Sequence, residues 1–81
     1  MNSEKILDII ISSIKEVKPD LANHSFLRSD SMADDLGAHS VERSEVIMIT
    51  LQALTLRIPL VQIYGPKNIG ELADLLATKF K

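Results

Sequence analysis

Apolar residues recur at steps of three and four near the start of the chain: Leu7, Ile10, Ile11, Ile14 and Val17 share one stripe, which predicts helix I from Ser3 to Val17. Ser3 is placed to cap it and Glu4 suits its positive first turn. Pro19 ends it, because a residue preceding proline is pushed out of the α region. Residues 18–39 then show no sustained period and are rich in Asn, Ser, Asp and Gly, so they read as a long loop anchored by Leu21, Phe26, Leu27, Met32 and Leu36. A connection of that length in a small domain is usually functional.

The pattern resumes at Ser40 and predicts helix II to about Leu56, ahead of Ile58-Pro59. With Ile47 as centre, Leu51, Leu54 and Ile58 lie within about 40° and Thr50 within about 60° on the helical wheel. Ile49 and Leu56 come out nearly opposite, beside Glu42 and Glu45. A small domain cannot cover both faces of such a helix, so Ile49, Leu56 and part of Met48 are expected at the surface. A short third element fits Val61 to Tyr64, with Gly65 available as a left-handed cap. Asn68, with Glu71 three residues later, opens a last helix striped by Ile69, Leu72, Ala73, Leu76 and Phe80. Lys79 and Lys81 sit at its negative end. The sum is a single all-α domain over residues 1–81, a four-helix bundle of three long helices and one short, with a long loop between helices I and II.

Composition narrows the function. The 81 residues are 46% hydrophobic and 25% charged, a globular balance, and contain no cysteine, so the chain has no disulfide and no thiol of its own. No apolar run approaches the roughly 18 residues of a membrane span, and Glu4 and Asp8 interrupt any leader pattern, so no membrane association and a cytoplasmic location are expected. The net charge of −2 argues against nucleic acid as a partner. That charge is uneven: residues 30–45 carry −4 and the remainder +2, which marks a solvated acidic segment or a docking surface for a basic partner.

Catalytic constellations are nearly absent. His24 and His39 have no metal-ligand spacing, and no metal site is expected. His39-Ser40 has poor dyad geometry, and adjacent Asp34-Asp35 reads as solvated. Gly37, Gly65 and Gly70 are isolated, so no phosphate-binding glycine loop exists. Ser40 remains. Taken alone it is an N-cap worth about 1 kcal/mol. Preceded by Gly37 and Ala38, it is also an uncluttered hydroxyl at the positive end of a helix, a favourable place for a phosphodiester.

Asp35-Leu36-Gly37-Ala38-x-Ser40-Val41-Glu42, Ile58-Pro59 eighteen residues beyond the serine, and Asn68-Ile69-Gly70-Glu71-Leu72 together resemble the acyl carrier proteins over essentially the whole chain. The resemblance implies that Ser40 receives a 4′-phosphopantetheine arm from coenzyme A through a phosphopantetheinyl transferase with magnesium. The arm's thiol would carry acyl groups as thioesters, and the chain itself would be a tether, not an enzyme. Two features depart from or imitate the family pattern. His39-Ser40-Val41 stands where Asp-Ser-Leu is usual, and Asp30-Ser31-Met32 mimics that tripeptide upstream of the helix, where it reads as loop structure. His39 is expected at the surface beside the cap.

A finer resemblance, through Leu36 to Glu45 and Ile58-Pro59-Leu60-Val61, is to the free-standing donor carriers of polyketide β-branching cassettes. It implies an acyltransferase, a decarboxylating ketosynthase-like protein that turns a malonyl into an acetyl thioester, and an HMG synthase-like enzyme that receives the acetyl unit. Val41, Glu42, Glu45 and Met48 would meet these partners, with Arg43 and Ile49 beside them. Arg43 could instead pair with a nearby acid on its own helix. The carrier is expected to be a monomer. A fatty-acid synthesis carrier and an unmodified helical interaction module are the alternatives, and a small hydrolase is disfavoured for want of a base.

Overall fold

The computed structural model describes residues 1–63 and 65–80. It contains α1 (Ser3–Val17), α2 (Ser40–Leu54) and α3 (Ile69–Ala77), with 3₁₀ turns at Pro19–Leu21, Leu60–Ile63 and Thr78–Phe80. No strand occurs among the described residues. The expected fourth helix is therefore a single 3₁₀ turn, closed by Gln62 N–H on Pro59 O at 3.0 Å. Only six residues separate Pro59 from Pro66, which favours a short 3₁₀ turn over a long α-helix. Tyr64, where that element was expected to end against Gly65, and Lys81 lie outside the described residues.

The span of α1 is as expected, but its cap is not Ser3. Asn2 is extended and accepts Lys5 N–H at 2.9 Å, while the Ser3 hydroxyl donates to Asp74 of α3. Pro19 ends α1 and occupies the first position of the next turn, where its missing N–H leaves no bond unmade. α1 packs against both α2 and α3. Ile6, Leu7, Ile10 and Ile14 meet Val46, Ile47, Leu51 and Leu54 on one side and Ile69, Leu72, Ala73 and Leu76 on the other. Ile6, omitted from the expected stripe, is wholly buried, whereas Ile11 and Val17 are only partly so. Between α1 and α2 the core holds two buried hydroxyls: Thr50 Oγ1 lies 3.1 Å from Ser13 Oγ, which itself donates to Ile9 O at 2.9 Å. Each has a partner, so neither leaves an unpaired polar atom in the core.

α2 stops two residues before its expected end. Thr55 caps it in the left-handed region (φ 55°, ψ 39°), an uncommon conformation for a β-branched residue. Leu56 turns back to pack on the core and Ile49 is half-buried, so neither is the open surface residue expected, while Met48 is 51% exposed. Phe80 falls beyond α3, in the closing 3₁₀ turn, and is exposed.

The long loop is tied to α3 by its backbone. Gly70 N–H donates to Arg28 O at 2.8 Å and Ile69 N–H to Asp30 O at 3.0 Å. Asp30 is buried, and one carboxylate oxygen accepts Leu27 N–H at 3.0 Å and lies 3.2 Å from His24 Nε2. Asp30 thus anchors the segment in place of Leu27, which is 62% exposed. Arg28 extends the tie, reaching Asp74 at 2.8 Å and Glu4 at 3.4 Å.

Candidate functional site

The approach to α2 is pegged on both sides of one glycine. Leu36 and Ala38 are buried, and Gly37 between them is exposed with φ +67°, a left-handed conformation that needs no side chain. Ala38 N–H donates to Met32 O at 2.8 Å, and Ala38 O accepts Arg43 Nη1 at 2.9 Å. Arg43 therefore clamps the loop instead of forming the intrahelical ion pair expected of it. No heavy atom lies within 4 Å of a Cβ built at Gly37, so the space over this turn is open.

His39, not Ser40, is the N-cap. It is extended (φ −76°, ψ 174°), its N–H donates to Glu42 Oε1 at 3.0 Å, and its carbonyl accepts Arg43 N–H at 2.8 Å to begin the ladder. Ser40 is the first helical residue, exposed, and among the described residues no side chain hydrogen-bonds its hydroxyl. The N–H groups of Ser40 and Val41 have no carbonyl one turn back to bond, so they and the helix dipole favour an anion beside Ser40. The start of α3 offers no such site. Its first two N–H groups bond the loop carbonyls, and Glu71 N–H bonds Asn68 Oδ1 at 2.8 Å.

Glu42 is only half-buried and is heavily engaged. Besides His39 N–H, Lys18 Nζ lies 3.8 Å and His39 Nε2 3.4 Å from its carboxylate. The backbone bond from His39, followed by the charge of Lys18, holds its pKa below the ordinary 4.5. Val41 (67% exposed), Glu45 and Met48 (51%) follow at steps of four and three as an exposed strip, with Ile49 half-buried at its edge. Neither the Lys18 contact nor the Arg43 clamp has a local signature along the chain, because both depend on how the loop and α1 dock.

Ser31, the competing serine, is half-buried and used up in a turn: its hydroxyl accepts Asp34 N–H at 3.2 Å and its own N–H donates to Asp35 Oδ2 at 2.7 Å. Asp34 and Asp35 are exposed, and Asp35 closes that turn, so they form no catalytic pair. Among the described residues no cluster of His, Asp and Glu could hold a metal, and no helix is long and apolar enough to cross a membrane. The site can therefore offer an unactivated, reachable hydroxyl in an anion-friendly setting. It suits a phosphodiester attached by another enzyme.

An exposed serine at the positive tip of the second helix of a small helical bundle suits a tether, and the chain belongs to the acyl carrier proteins. No family model matches it, so membership rests on individual relatives. The chain is 43% identical over 79 residues to the polyketide biosynthesis acyl-carrier-protein AcpK of Bacillus subtilis (strain 168), covering 98% of this chain and 95% of that one. In three dimensions it is similar to a chain in the crystal structure of the curacin biosynthetic pathway HMG synthase in complex with acetyl donor-ACP. That match has a TM-score of 0.92 and 42% identity, and covers 96% of this chain and 99% of the other.

Proposed function

We propose that Ser40 is the attachment point of a 4′-phosphopantetheine group and that this non-catalytic carrier donates acetyl units to an HMG synthase-like enzyme in polyketide β-branching. The observation that carries the reading is the exposed Ser40, whose hydroxyl has no side-chain partner among the described residues, at the first position of α2 beside an open glycine turn. The relatives named above support the acetyl-donor assignment. When bound, the group supplies a thiol on a flexible arm that holds acyl units as thioesters, a function this cysteine-free chain lacks.

The chain's own residues divide the remaining work. Leu36, Ala38 and Arg43 fix the approach, Glu42 locks the helix start through His39 N–H, and the free N–H groups of the first turn face the phosphodiester. Val41, Glu45 and Met48 offer partners an exposed apolar and acidic strip, with Ile49 at its edge. Glu42 and Arg43 contribute there mainly by holding the surface in shape. The partners are a phosphopantetheinyl transferase, an acyltransferase, a ketosynthase-like decarboxylase and the synthase-like acceptor, all acting in the cytoplasm.

Intact-mass measurement after incubation with coenzyme A, magnesium and a broad-specificity transferase tests the attachment. The expected result is one added phosphopantetheine on the wild type and none on Ser40→Ala. An equal gain in the variant, or no gain in the wild type, overturns it. Acetyl transfer from the malonyl-loaded protein, with a decarboxylase and a synthase-like enzyme present, tests the pathway. Failure there together with efficient chain elongation would favour a fatty-acid carrier.

A further inference from the structure

A cleft of about 140 Å³ opens between the 31–33 turn, the first turn of α2 and the approach to α3. Met32, Pro66 and Leu72 give it apolar walls, Arg43 and Lys67 bring two positive charges, and no carboxylate lines it. This is unexpected in a chain with net charge −2. Two acids close in sequence to the lining are held by backbone amides: Asp35 accepts Ser31 N–H at 2.7 Å and Glu71 accepts Lys67 N–H at 3.2 Å.

Two other cations of this chain are matched by acids, whereas Lys5, Lys15, Arg57 and Lys79, like the pair in the cleft, have no ion pair among the described residues. Lys18 faces Glu42, and Arg28 faces Glu4 and Asp74. Arg43, half-buried, has no acidic partner among the described residues and uses one of its five N–H donors on Ala38 O. Lys67 likewise has no ion pair among them. Arg43 stands three positions after Ser40, so the two side chains are neighbours on one helix face, about 5–6 Å apart at Cβ. A flexible arm rooted at Ser40 needs only to fold back over one turn to bring its end to the cleft.

We infer that this cleft receives the free carboxylate of a dicarboxylic acyl thioester, of the malonyl class, carried on Ser40, with Arg43 and Lys67 as its anion partners. The inference rests on the reading of Ser40 as attachment point. An acetyl group lacks the charge that the cleft recognises. When a decarboxylating partner breaks the bond to the carboxylate, carbon dioxide leaves and the methylene carbon takes up a proton from the partner or from water. The acetyl group then has no hold on the cleft, so the acyl end is retained before decarboxylation and free for transfer after it.

The test compares ¹⁵N-labelled protein loaded with malonyl or acetyl arms from the corresponding coenzyme A thioesters, with loading verified by mass. Malonyl-specific shifts are expected at the Ala33, Asn68 and Leu72 amides and at Arg43 Nε–H. They should shrink with added salt, fall in Lys67→Gln and vanish in the Arg43→Gln/Lys67→Gln double variant. Lys67→Gln keeps the test independent of the loop clamp, since the Lys67 side chain makes no bond to it. Identical malonyl and acetyl spectra, or malonyl-specific shifts that survive the double substitution, overturn the inference while leaving the attachment intact. Absence of any mass gain overturns the attachment, and the inference with it.

Discussion

Gly70 is the point where α3 and the long loop come closest, and replacing it with alanine tests whether that contact holds the fold together. A Cβ at position 70 would stand 2.8 Å from both the Cβ and the carbonyl oxygen of Arg28 and 3.2 Å from its Nε. The carbonyl cannot retreat cheaply, because it accepts the Gly70 N–H at 2.8 Å and the next link, Ile69 N–H to Asp30 O, follows at 3.0 Å. Overpacking of this kind costs about 1–3 kcal/mol and loss of the hydrogen bond about 1 kcal/mol. Alanine's greater helix propensity returns up to about 1 kcal/mol. The balance is a loss of about 2 kcal/mol, which lowers the melting temperature of a domain this size by roughly 8–16 °C. Thermal and urea unfolding followed by circular dichroism give the number, and hydrogen exchange at Ile69 and Gly70 locates it. A Gly70→Ala protein that melts at or above the wild-type temperature refutes the argument.

Ser40→Ala should leave stability within about 0.5 kcal/mol of wild type by urea titration, because the residue caps nothing and its hydroxyl is exposed; a loss of a full cap would contradict the assignment of His39 as N-cap. Thr55→Gly should raise stability by about 1 kcal/mol, since it relieves a left-handed β-branched residue (φ 55°) at the end of α2. An unchanged or lower urea midpoint would count against that strain. Glu42→Gln should be less stable than wild type at neutral pH, and the difference should close on acidification. The carboxyl is held below its ordinary 4.5, so its contribution is complete above that value and disappears as pH falls through the lowered one. A gap that stays constant from neutral pH to far below 4.5 would mean that the charge of Glu42 is not what stabilises the helix start.

The helix spans were legible because their signal is local. The span of α1 and the Asn68–Glu71 pairing at α3 both rest on signals within a turn or two of sequence, and the structure places them as read. What escaped the sequence depends on docking: Lys18 reaching Glu42, Arg43 turning to Ala38 O, Arg28 bridging Glu4 and Asp74, and Leu27 left outside while Asp30 is buried. The caps failed differently. At both α1 and α2 a serine looked like the cap and proved to be the first helical residue. At α2 serine's reputation as an N-cap outweighed a better local clue, the acid at N3; α1 offers no such clue, since its N3 residue is Lys5. Counting back three from Glu71 gives Asn68, and counting back three from Glu42 gives His39; in both cases that residue is the observed cap. The distinction decides the chemistry. An N-cap serine spends its oxygen on the N–H groups of the first turn, whereas Ser40, one place further on, does not cap them, which is what the proposed attachment at its hydroxyl needs. The Glu42–His39 bond that sets this register therefore helps to keep Ser40 at the exposed first position of the helix.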